Sequence, residues 1–163
     1  MSIRMIWAQA HDRVIGSAGA IPRHLPEDLR MFRERTAGST VVMGSGTWRS
    51  LPDQVRPLPD RTNVILSRNI DLITPGAYQC FSVKEVLRFH PDSWVIGGAA
   101  VYEALMPFAS HIVRTRIDLT VDGDTRAPIL DDSWQARYPT GPDQWQQSTT
   151  GLRFTVEEFV RAA

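Results

Sequence analysis

Short apolar runs alternate with amphipathic segments along the chain, and glycine or proline separates many of them. Residues 3–10 are mostly apolar, which is typical of a buried strand. Pro26 suits the first turn of a helix that runs to about Arg35 and ends near Gly38. Further strands are predicted at residues 40–43, 63–67, 78–81, 94–96 and 111–119. Further helices are predicted at residues 47–51, after Ser82, where Glu85 has capping-box spacing, and from Gly97-Gly98 to about residue 106.

Two other segments have their own patterns. Residues 11–24 contain Gly16, Gly19 and Pro22, which predict a long loop, and such a loop inside a compact domain is often functional. Residues 145–149 and 152–160 flank Thr150-Gly151 and predict a terminal hairpin. Strands that alternate with helices and are then followed by strands alone indicate the α/β class, with a mixed sheet and helices packed on its faces.

Composition narrows the possible functions. The 163 residues include 18 basic and 18 acidic side chains, so no net charge attracts a nucleic acid or an anionic membrane. The length suits one domain, and no apolar run approaches that of a membrane-spanning helix, so we expect a cytoplasmic protein. Cys80 is the only cysteine and the four histidines show no ligand spacing, so we expect neither a disulfide nor a metal site.

Asp28 is the first candidate for chemistry. At about 100° per residue, one stripe of the predicted helix is expected to be buried, and it is formed by Leu25, Leu29, Phe32 and Thr36. Asp28 lies at the edge of this stripe, whereas Glu27 points to the opposite side. Burial disfavours a charged carboxylate without a partner. Asp28 therefore either serves a functional partner or, as a first-turn acid, satisfies the helix dipole.

Two strand–glycine–helix junctions are the second candidate. They are Val42-Met43-Gly44-Ser45-Gly46-Thr47 and Val95-Ile96-Gly97-Gly98-Ala99-Ala100. Glycine lets a ligand approach the backbone, and a helix N-terminus offers unpaired N–H groups to phosphate. Each junction alone is better explained by plain turn glycines, but the two together suit a ligand with two phosphate groups, such as a dinucleotide.

Arginines supply the third candidate. Ser67-Arg68 follows a predicted strand and combines a hydroxyl with a guanidinium, a pair suited to a phosphate monoester. Arg56 and Arg61 flank the stiff segment Pro57-Leu58-Pro59, which is able to present a guanidinium to a carboxylate. A solvated turn and two surface arginines are the alternative interpretations.

Taken together, these residues form a recognisable pattern, which continues to Thr115 and Gly123-Asp124-Thr125. Its blocks, in chain order, are Ile6-Trp7-Ala8, Val14-Ile15-Gly16, Ile21-Pro22-x-x-Leu25-Pro26-x-Asp28-Leu29-x-x-Phe32, Val42-Met43-Gly44-x-x-Thr47-Trp48-x-Ser50-Leu51, Arg56-Pro57-Leu58-Pro59-x-Arg61-x-Asn63-Val64, Ile96-Gly97-Gly98 and Val101-Tyr102. In this order the blocks resemble bacterial dihydrofolate reductase from end to end. The run Ile6-Trp7-Ala8-Gln9-Ala10 is also similar to actinobacterial members of that family.

The resemblance implies a fold and an activity. It implies one domain over residues 1–163, with an eight-stranded, mainly parallel sheet, one antiparallel edge strand and four flanking helices. It implies hydride transfer from NADPH to C6 of dihydrofolate, with protonation at N5, and hence production of tetrahydrofolate for one-carbon metabolism. Antifolates such as methotrexate and trimethoprim are implied ligands. The expected state is a monomer without a nucleic-acid or membrane partner.

The resemblance also assigns substrate and catalytic roles. Asp28 would hold the pterin ring and support protonation, directly or through water, while Thr115 hydrogen-bonds to Asp28 and the loop around Ile21 acts as a lid. The carbonyls of Ile6 and Ile96 would line the pterin end. The implied substrate-binding residues are Ile6, Trp7, Asp28, Leu29, Phe32, Leu51, Arg56, Leu58, Arg61, Ile96 and Thr115, with Arg61 at the glutamate α-carboxylate and Arg56 near the tail.

Cofactor contacts are implied along both glycine junctions. The residues are Ala8, Ile15, Gly16, Ile21, Gly44, Gly46, Thr47, Leu66, Ser67, Arg68, Gly97, Gly98, Ala99, Ala100, Val101, Tyr102 and Thr125. Among them, Ala8, Ile15 and Ile21 belong near the nicotinamide.

Three departures from the family pattern affect these roles. Arg23 replaces a tryptophan after Ile21-Pro22, and a cation near Asp28 would favour its charged form and slow protonation unless Arg23 points outward. Ser45 replaces an arginine that helps to bind the adenosine 2′-phosphate, leaving Ser67-Arg68 for that group. Ala99 and Ala100 replace a glycine and a basic residue on the phosphate side, which predicts weakened cofactor affinity.

Two other functions compete with this interpretation. A reductase of another substrate, such as the pyrimidine reductase of riboflavin synthesis, would share the fold but not the combination of Leu25-Pro26-x-Asp28 with Arg61. A degenerate paralogue would bind folate or an antifolate without turnover. Oxidation of NADPH that depends on dihydrofolate distinguishes the reductase from both.

Overall fold

The computed structural model describes residues 1–16, 25–137 and 144–162. Its strands are β1 (Ser2–Gln9), β2 (Val14–Gly16), β3 (Thr40–Gly44), β4 (Thr62–Leu66), β5 (Tyr78–Cys80), β6 (Asp92–Gly97), β7 (Ala109–Ile117), β8 (Thr125–Arg126), β9 (Trp134–Ala136), β10 (Gln146–Gln147) and β11 (Arg153–Arg161). Its helices are α1 (Pro26–Thr36), α2 (Ser45–Ser50), α3 (Val83–Phe89) and α4 (Ala99–Leu105). Short 3₁₀ turns occupy His11–Arg13, Asp53–Val55 and Met106–Phe108.

One large sheet organises these elements. Its strand order is β10-β11-β7-β1-β6-β3-β4-β5, and the short strand β9 also pairs with β11. The six strands from β7 to β5 run parallel, whereas β11 is antiparallel to β7. The eight strands on this path, mostly parallel, and the four α-helices of the described residues confirm the predicted fold class. The antiparallel strand is not outermost, because β9 and β10 pair with its far side.

The chain connections place a crevice at the carboxyl ends of β1 and β6. β1 leads through α1 to β3 on one side, whereas β6 leads through α4 to β7 on the other side of β1. Connections that diverge from two neighbouring parallel strands leave an open crevice at the ends of those strands, where ligands bind in open α/β sheets. Asp28, in the helix that connects β1 to β3, and the glycine junction at the end of β6 therefore lie near this crevice.

The core lies on both faces of this sheet. On one face, buried strand residues pack with Val86 of α3 and Leu105 of α4. On the other face, a second cluster includes Ile6, Trp48 of α2 and the half-buried Phe32 of α1. Thus α1 and α2 cover the face opposite α3 and α4.

Helix α1 begins at Pro26, as predicted, but its buried face differs from the expected stripe. Leu25 and Thr36 are fully buried, whereas Leu29 is 55% exposed and Asp28 is only 6% exposed. The prediction that Leu29 belongs to the buried stripe is therefore wrong. The Asp28 side chain is directed inward, where Thr115 of β7 donates a hydrogen bond to its carboxylate.

Three other predicted segments agree with the structure to different extents. Ser82 caps α3, since its hydroxyl accepts a hydrogen bond from the N–H of Glu85 at 3.1 Å, which confirms the predicted helix start. The predicted long loop is partly wrong, because β2 lies within it and pairs with β8. Ile21 and Arg23 lie outside the described residues. The terminal hairpin is present as β10 and β11.

Among the described residues, no helix is both long and apolar enough to cross a membrane. Within the same ranges, no group of three or more His, Cys, Asp or Glu side chains is arranged to hold a metal ion.

Candidate active site

The centre of the site is a buried carboxylate with a hydroxyl partner. Thr115 of β7 is fully buried, and its Oγ1 donates a hydrogen bond of 2.6 Å to Oδ1 of Asp28. Thr115 lies in register with Ala8 of β1 on one side and Val156 of β11 on the other, so its position is fixed by two neighbouring strands. The structure thus brings together two residues that the sequence separates by 87 positions.

Apolar side chains surround this pair on the α1 face. Ile6 and Leu58 are buried, and Phe32, Leu51 and Ile96 are half-buried against the same cluster. These are five of the predicted substrate-binding residues. They form one apolar wall that would contact a flat ring system.

Two other predicted substrate residues are not part of this buried cluster. Leu29, next to Asp28 in α1, is exposed, and its contact with the substrate stays a prediction. The side chain of Trp7 packs on the opposite face of the sheet from Ile6, where its ring centroid lies 5.2 Å from that of Tyr102. Its Nε1 donates to Oε1 of Gln9 at 2.9 Å. Trp7 is therefore grouped with the predicted cofactor residues, because successive side chains of a strand alternate between faces.

Arg61 is held at the far end of the apolar wall. Its Nε donates to the carbonyl of Pro59 at 2.9 Å, and its Nη1 donates to Oγ1 of Thr36 at 3.1 Å. The guanidinium carbon lies 5.7 Å from the centroid of the Phe32 ring. Burial lowers the pKa of Arg61, and an arginine nevertheless stays charged at neutral pH. Its hydrogen bonds to other described residues end on uncharged oxygens, so within these ranges no salt bridge occupies its guanidinium, although the Asp60 carboxylate is near enough to interact with its charge.

Arg56 differs from Arg61 in this respect. Its Nη2 lies 2.8 Å from Oδ1 of Asp53, and its guanidinium carbon lies 5.5 Å from the centroid of the Trp48 ring. A carboxylate of the protein already balances its charge.

Asn63 orders the segment that carries both arginines. It is 1% exposed, its Oδ1 accepts from the N–H of Leu58 at 2.9 Å, and its Nδ2 donates to the carbonyls of Leu58 and Arg61. Sequence reasoning assigned no role to Asn63. Because an asparagine buried in a strand needs hydrogen-bond partners, its position in a predicted strand was the sequence feature that could have indicated this role.

The two glycine junctions meet beside this wall. Met43 of β3 is in register with Gly97 of β6. A Cβ atom on Gly97, whose φ is +130°, would lie 3.2 Å from Oγ1 of Thr47, and a Cβ on Gly44 would lie 3.0 Å from Cγ2 of Val101. The Gly97–Gly98 peptide bond is cis. The backbones therefore form a cradle at the first turns of α2 and α4 that side chains would fill.

A groove continues from this cradle along the sheet edge. It has a volume of about 310 Å³ and is lined by Leu66, Ser67, Arg68, Phe81, Ser82 and Val83. Leu66 is in register with Gly44 at the end of the neighbouring strand, and Ser45, the first residue of α2, follows directly after Gly44. The carbonyl of Ser67 accepts from Nε2 of Gln79 at 2.9 Å, which fixes the loop. The sequence predicted Leu66, Ser67 and Arg68 as cofactor residues. It gave no such role to the other three lining residues, Phe81, Ser82 and Val83, which lie just before α3 and at its start.

The remaining predicted cofactor residues lie on β1, β2 and β8 and at the start of α4. Ala8 and Ile15 are buried, and Gly16 of β2 is in register with Thr125 of β8. Ala99 is half-buried at the start of α4, whereas Ala100 is exposed. The predicted role of Ile21 lies outside the described residues.

Tyr102 connects the cofactor side of the site with the substrate side. Its hydroxyl donates a 2.7 Å hydrogen bond to the carbonyl of Ile6, one of the two carbonyls predicted to line the pterin end.

The arrangement fits a dinucleotide and an acidic flat-ring ligand. The cradle admits phosphate close to backbone N–H groups, and the groove supplies Ser67 and Arg68 for a further phosphate. Asp28 provides a buried acid at the apolar wall, and Arg61 provides a cation at its end.

Comparisons with known proteins agree with this geometry. The sequence profile of the family described as dihydrofolate reductase matches residues 2–161. The dihydrofolate reductase of Mycobacterium tuberculosis (strain ATCC 25618 / H37Rv) is 45% identical over 163 residues, with 98% of each chain covered. That of Mycobacterium leprae is 42% identical over 166 residues, again with 98% of each covered.

A solved structure shows the same likeness. The dihydrofolate reductase from Enterococcus faecalis, in complex with NADP(H) and RAB-propyl, has a TM-score of 0.84 and 33% sequence identity. The alignment covers 99% of the present chain and 97% of the other. The resemblance seen in the sequence, including that to actinobacterial proteins, is confirmed.

Proposed function

The chain belongs to the dihydrofolate reductase family, and we propose that Asp28 and Thr115 form the centre at which it protonates its substrate. The protein is an oxidoreductase that uses NADPH to reduce 7,8-dihydrofolate to 5,6,7,8-tetrahydrofolate. The observation that carries the assignment of the centre is the buried Asp28 carboxylate, hydrogen-bonded to Thr115 beside an apolar wall.

Asp28 holds the ring and supplies the path for the proton. One of its oxygens accepts from Thr115, and the carboxylate faces the N–H groups of the pterin, which it orients by charge-assisted hydrogen bonds. The proton for N5 comes from solvent and reaches the ring either through Asp28, which solvent protonates first, or through a water held by its carboxylate. Thr115 fixes the carboxylate so that reacting groups meet in a productive geometry.

The apolar wall and Arg61 position the rest of the substrate. Phe32, Leu51 and Ile96 pack against the ring and exclude water from it. Arg61 binds the α-carboxylate of the glutamate tail, since its charge is exposed to that end and it is pre-oriented by Pro59 and Thr36. Arg56 contributes less because Asp53 balances it.

The cradle and the groove would hold NADPH. Thr47, Gly97 and Gly98 would bind the pyrophosphate side, and Ser67 with Arg68 would bind the adenosine 2′-phosphate. Tyr102, fixed to the Ile6 carbonyl, would lie beside the nicotinamide. When bound, NADPH supplies the hydride for C6, and the protein aligns it.

The departures from the family pattern affect affinity. Position 45 carries a short serine beside the groove instead of an arginine. Among the described residues that line the groove, Arg68 is therefore the one that supplies a positive charge to the 2′-phosphate. Ala99 begins α4 and leaves its first-turn N–H groups to the phosphate. We propose that the protein is an active reductase that binds NADPH with reduced affinity.

The state of the protein is part of the proposal. We propose one functional domain over residues 1–163, acting as a monomer in the cytoplasm and inhibited by antifolates such as methotrexate and trimethoprim. The continuous sheet from β10 to β5 supports a single domain.

The deciding measurement is near-ultraviolet absorbance of NADPH mixed with protein and dihydrofolate, repeated with NADH. We expect oxidation that depends on dihydrofolate and is faster with NADPH. Folded protein that binds methotrexate but oxidises neither cofactor would overturn the proposed activity.

A further inference from the structure

We infer that Glu27 is a positioning residue for Asp28, acting through a clamp between the first turn of α1 and the tip of the β10–β11 hairpin. The clamp consists of Glu27, Ser148 and Thr149. This inference rests on the proposed role of Asp28.

The contacts of Glu27 are specific and long-range. Oε2 accepts from the hydroxyl of Ser148 at 2.8 Å, and Oε1 accepts from the backbone N–H of Thr149 at 3.0 Å, across more than 120 positions of sequence. Each carboxylate oxygen therefore has its own donor. These bonds, led by the one from the Thr149 backbone, lower the pKa of Glu27, so the clamp is ionised at neutral pH.

The hairpin tip is rigid enough to act as an anchor. Ser148 is 4% exposed, and its hydroxyl also accepts from the N–H of Thr150 at 3.2 Å. Its backbone N–H donates to the carbonyl of Leu152 at 2.7 Å, and its carbonyl accepts from the N–H of Gly151 at 2.9 Å. The Ser148 side chain is thus set by the turn itself.

Helix α1 depends on outside contacts at this end. Its N-cap is Leu25, which makes no side-chain cap hydrogen bond. Leu25 instead packs in a small cluster with Phe154 and Ile117. Phe154 belongs to β11, which borders the hairpin tip, and Ile117 belongs to β7, which carries Thr115. The first turn of α1 is therefore oriented by tertiary contacts.

The carboxylates of Glu27 and Asp28, consecutive residues of this turn, both accept hydrogen bonds from the antiparallel unit formed by β7, β11 and the hairpin tip. Asp28 accepts from Thr115 on β7, whereas Glu27 accepts from the tip of the hairpin whose strand β11 pairs with β7. Val156 of β11 is in register with Thr115. Because both bonds end on the same unit, the Glu27 clamp limits rotation of the turn and keeps the Asp28 carboxylate aimed at the ligand.

The test compares Glu27→Ala, Glu27→Gln, Ser148→Ala and the double variant Glu27→Ala/Ser148→Ala. Glu34→Ala is the matched control, since Glu34 is an exposed glutamate near the other end of α1. Four readouts are taken: the Kd of trimethoprim, whose diaminopyrimidine ring would pair with Asp28, the Kd of NADPH, kcat with dihydrofolate, and the thermal midpoint.

We expect Glu27→Ala to weaken trimethoprim binding and lower kcat roughly tenfold, within the hundredfold that a 1 Å misplacement can cost. The Kd of NADPH should stay unchanged. Ser148→Ala should act in the same direction but less, because the Thr149 N–H remains. The double variant should be no worse than Glu27→Ala, and Glu27→Gln should be intermediate, because one amide oxygen can accept one of the two bonds.

Three outcomes would overturn the clamp. They are trimethoprim binding by Glu27→Ala equal to that of Glu34→Ala, additive effects of the changes at positions 27 and 148, or an equal loss of NADPH and trimethoprim affinity. If Glu27→Ala does not fold, Glu27→Gln and Ser148→Ala decide by the same criteria. Trimethoprim binding also separates the two proposals, because it reports on Asp28 even if the wild-type protein does not turn over dihydrofolate.

Discussion

Thr115 of β7 donates a 2.6 Å hydrogen bond to Asp28 in the first turn of α1, and both side chains are buried. This bond joins the strand at one side of the crevice to the helix that covers it. It explains how an acid is retained in an apolar site, since a buried carboxylate is costly without a donor.

Replacing Asp28 with asparagine tests its role in proton transfer. We expect Asp28→Asn to lower kcat at neutral pH by roughly 10²–10⁴-fold, the usual contribution of a general acid. Lowering the pH should restore part of the rate, because dihydrofolate then arrives already protonated from solution. The assay is NADPH oxidation across a pH series, with the exposed Asp132→Asn as control. An unchanged rate in Asp28→Asn would remove Asp28 from the mechanism.

Thr115→Val tests the hydrogen bond itself. Valine keeps the volume of the side chain but removes the donor, so Asp28 loses a partner inside the protein. We expect the free energy of unfolding in urea to fall by about 1–3 kcal/mol. Thr62→Val, on the exposed side of β4, should change it by less than about 0.5 kcal/mol. Equal stabilities of the two variants would contradict a stabilising role for the bond.

Arg61→Leu and Arg56→Leu distinguish the two arginines. Arg61 donates to uncharged oxygens, whereas Arg56 is paired with Asp53. Loss of a charge-assisted contact with the substrate tail, worth about 1.5–3 kcal/mol, should raise the KM for dihydrofolate at least tenfold in Arg61→Leu. Its kcat should change little, because binding far from the reacting atoms is the same in ground and transition states. A larger KM effect at Arg56 would reverse the assignment.

Gly97→Ala tests the cradle, with Gly46→Ala as its matched control. A Cβ at Gly97 would meet Thr47 at 3.2 Å with φ at +130°, whereas a Cβ at Gly46 meets nothing within 4 Å. We expect Gly97→Ala to lower the free energy of unfolding by about 1–3 kcal/mol. Gly46→Ala, inside α2, should leave it unchanged or raise it by up to about 1 kcal/mol. Similar urea midpoints for both variants would argue against a close-packed cradle.

Ser45→Arg tests the position of the 2′-phosphate. Gly44 is in register with Leu66 at the start of the groove, so an arginine at position 45 would project beside Ser67 and Arg68. Binding of NADPH should strengthen by about 1–2 kcal/mol more than binding of NADH. The measurement is fluorescence titration with both cofactors, with Ser50→Arg at the other end of α2 as control. The same gain for both cofactors would place the 2′-phosphate elsewhere.

The local elements could be read from the sequence because each is set by neighbouring residues. The apolar runs predicted the strands, Pro26 predicted the start of α1, and Ser82 with Glu85 predicted the start of α3. The ordered family blocks predicted the eight-stranded path and four helices, which the structure confirms.

The errors arose where a distant partner decided the outcome. Helical periodicity placed Leu29 inside and Asp28 at the edge, but the donor on β7 turns Asp28 inward and leaves Leu29 exposed. Likewise, β2 exists only through its pairing with β8, more than a hundred positions later.

The sequence by itself therefore determined the element order, the family and which residues are able to carry the chemistry. Only the tertiary structure decided which of them meet. It joined Asp28 to Thr115, bound Glu27 to the hairpin tip, and, among the described residues, placed Arg56 but not Arg61 in a salt bridge. The reason is physical: helix periodicity and turn propensities act over a few residues, whereas these contacts depend on the packing of strands that are distant in the chain.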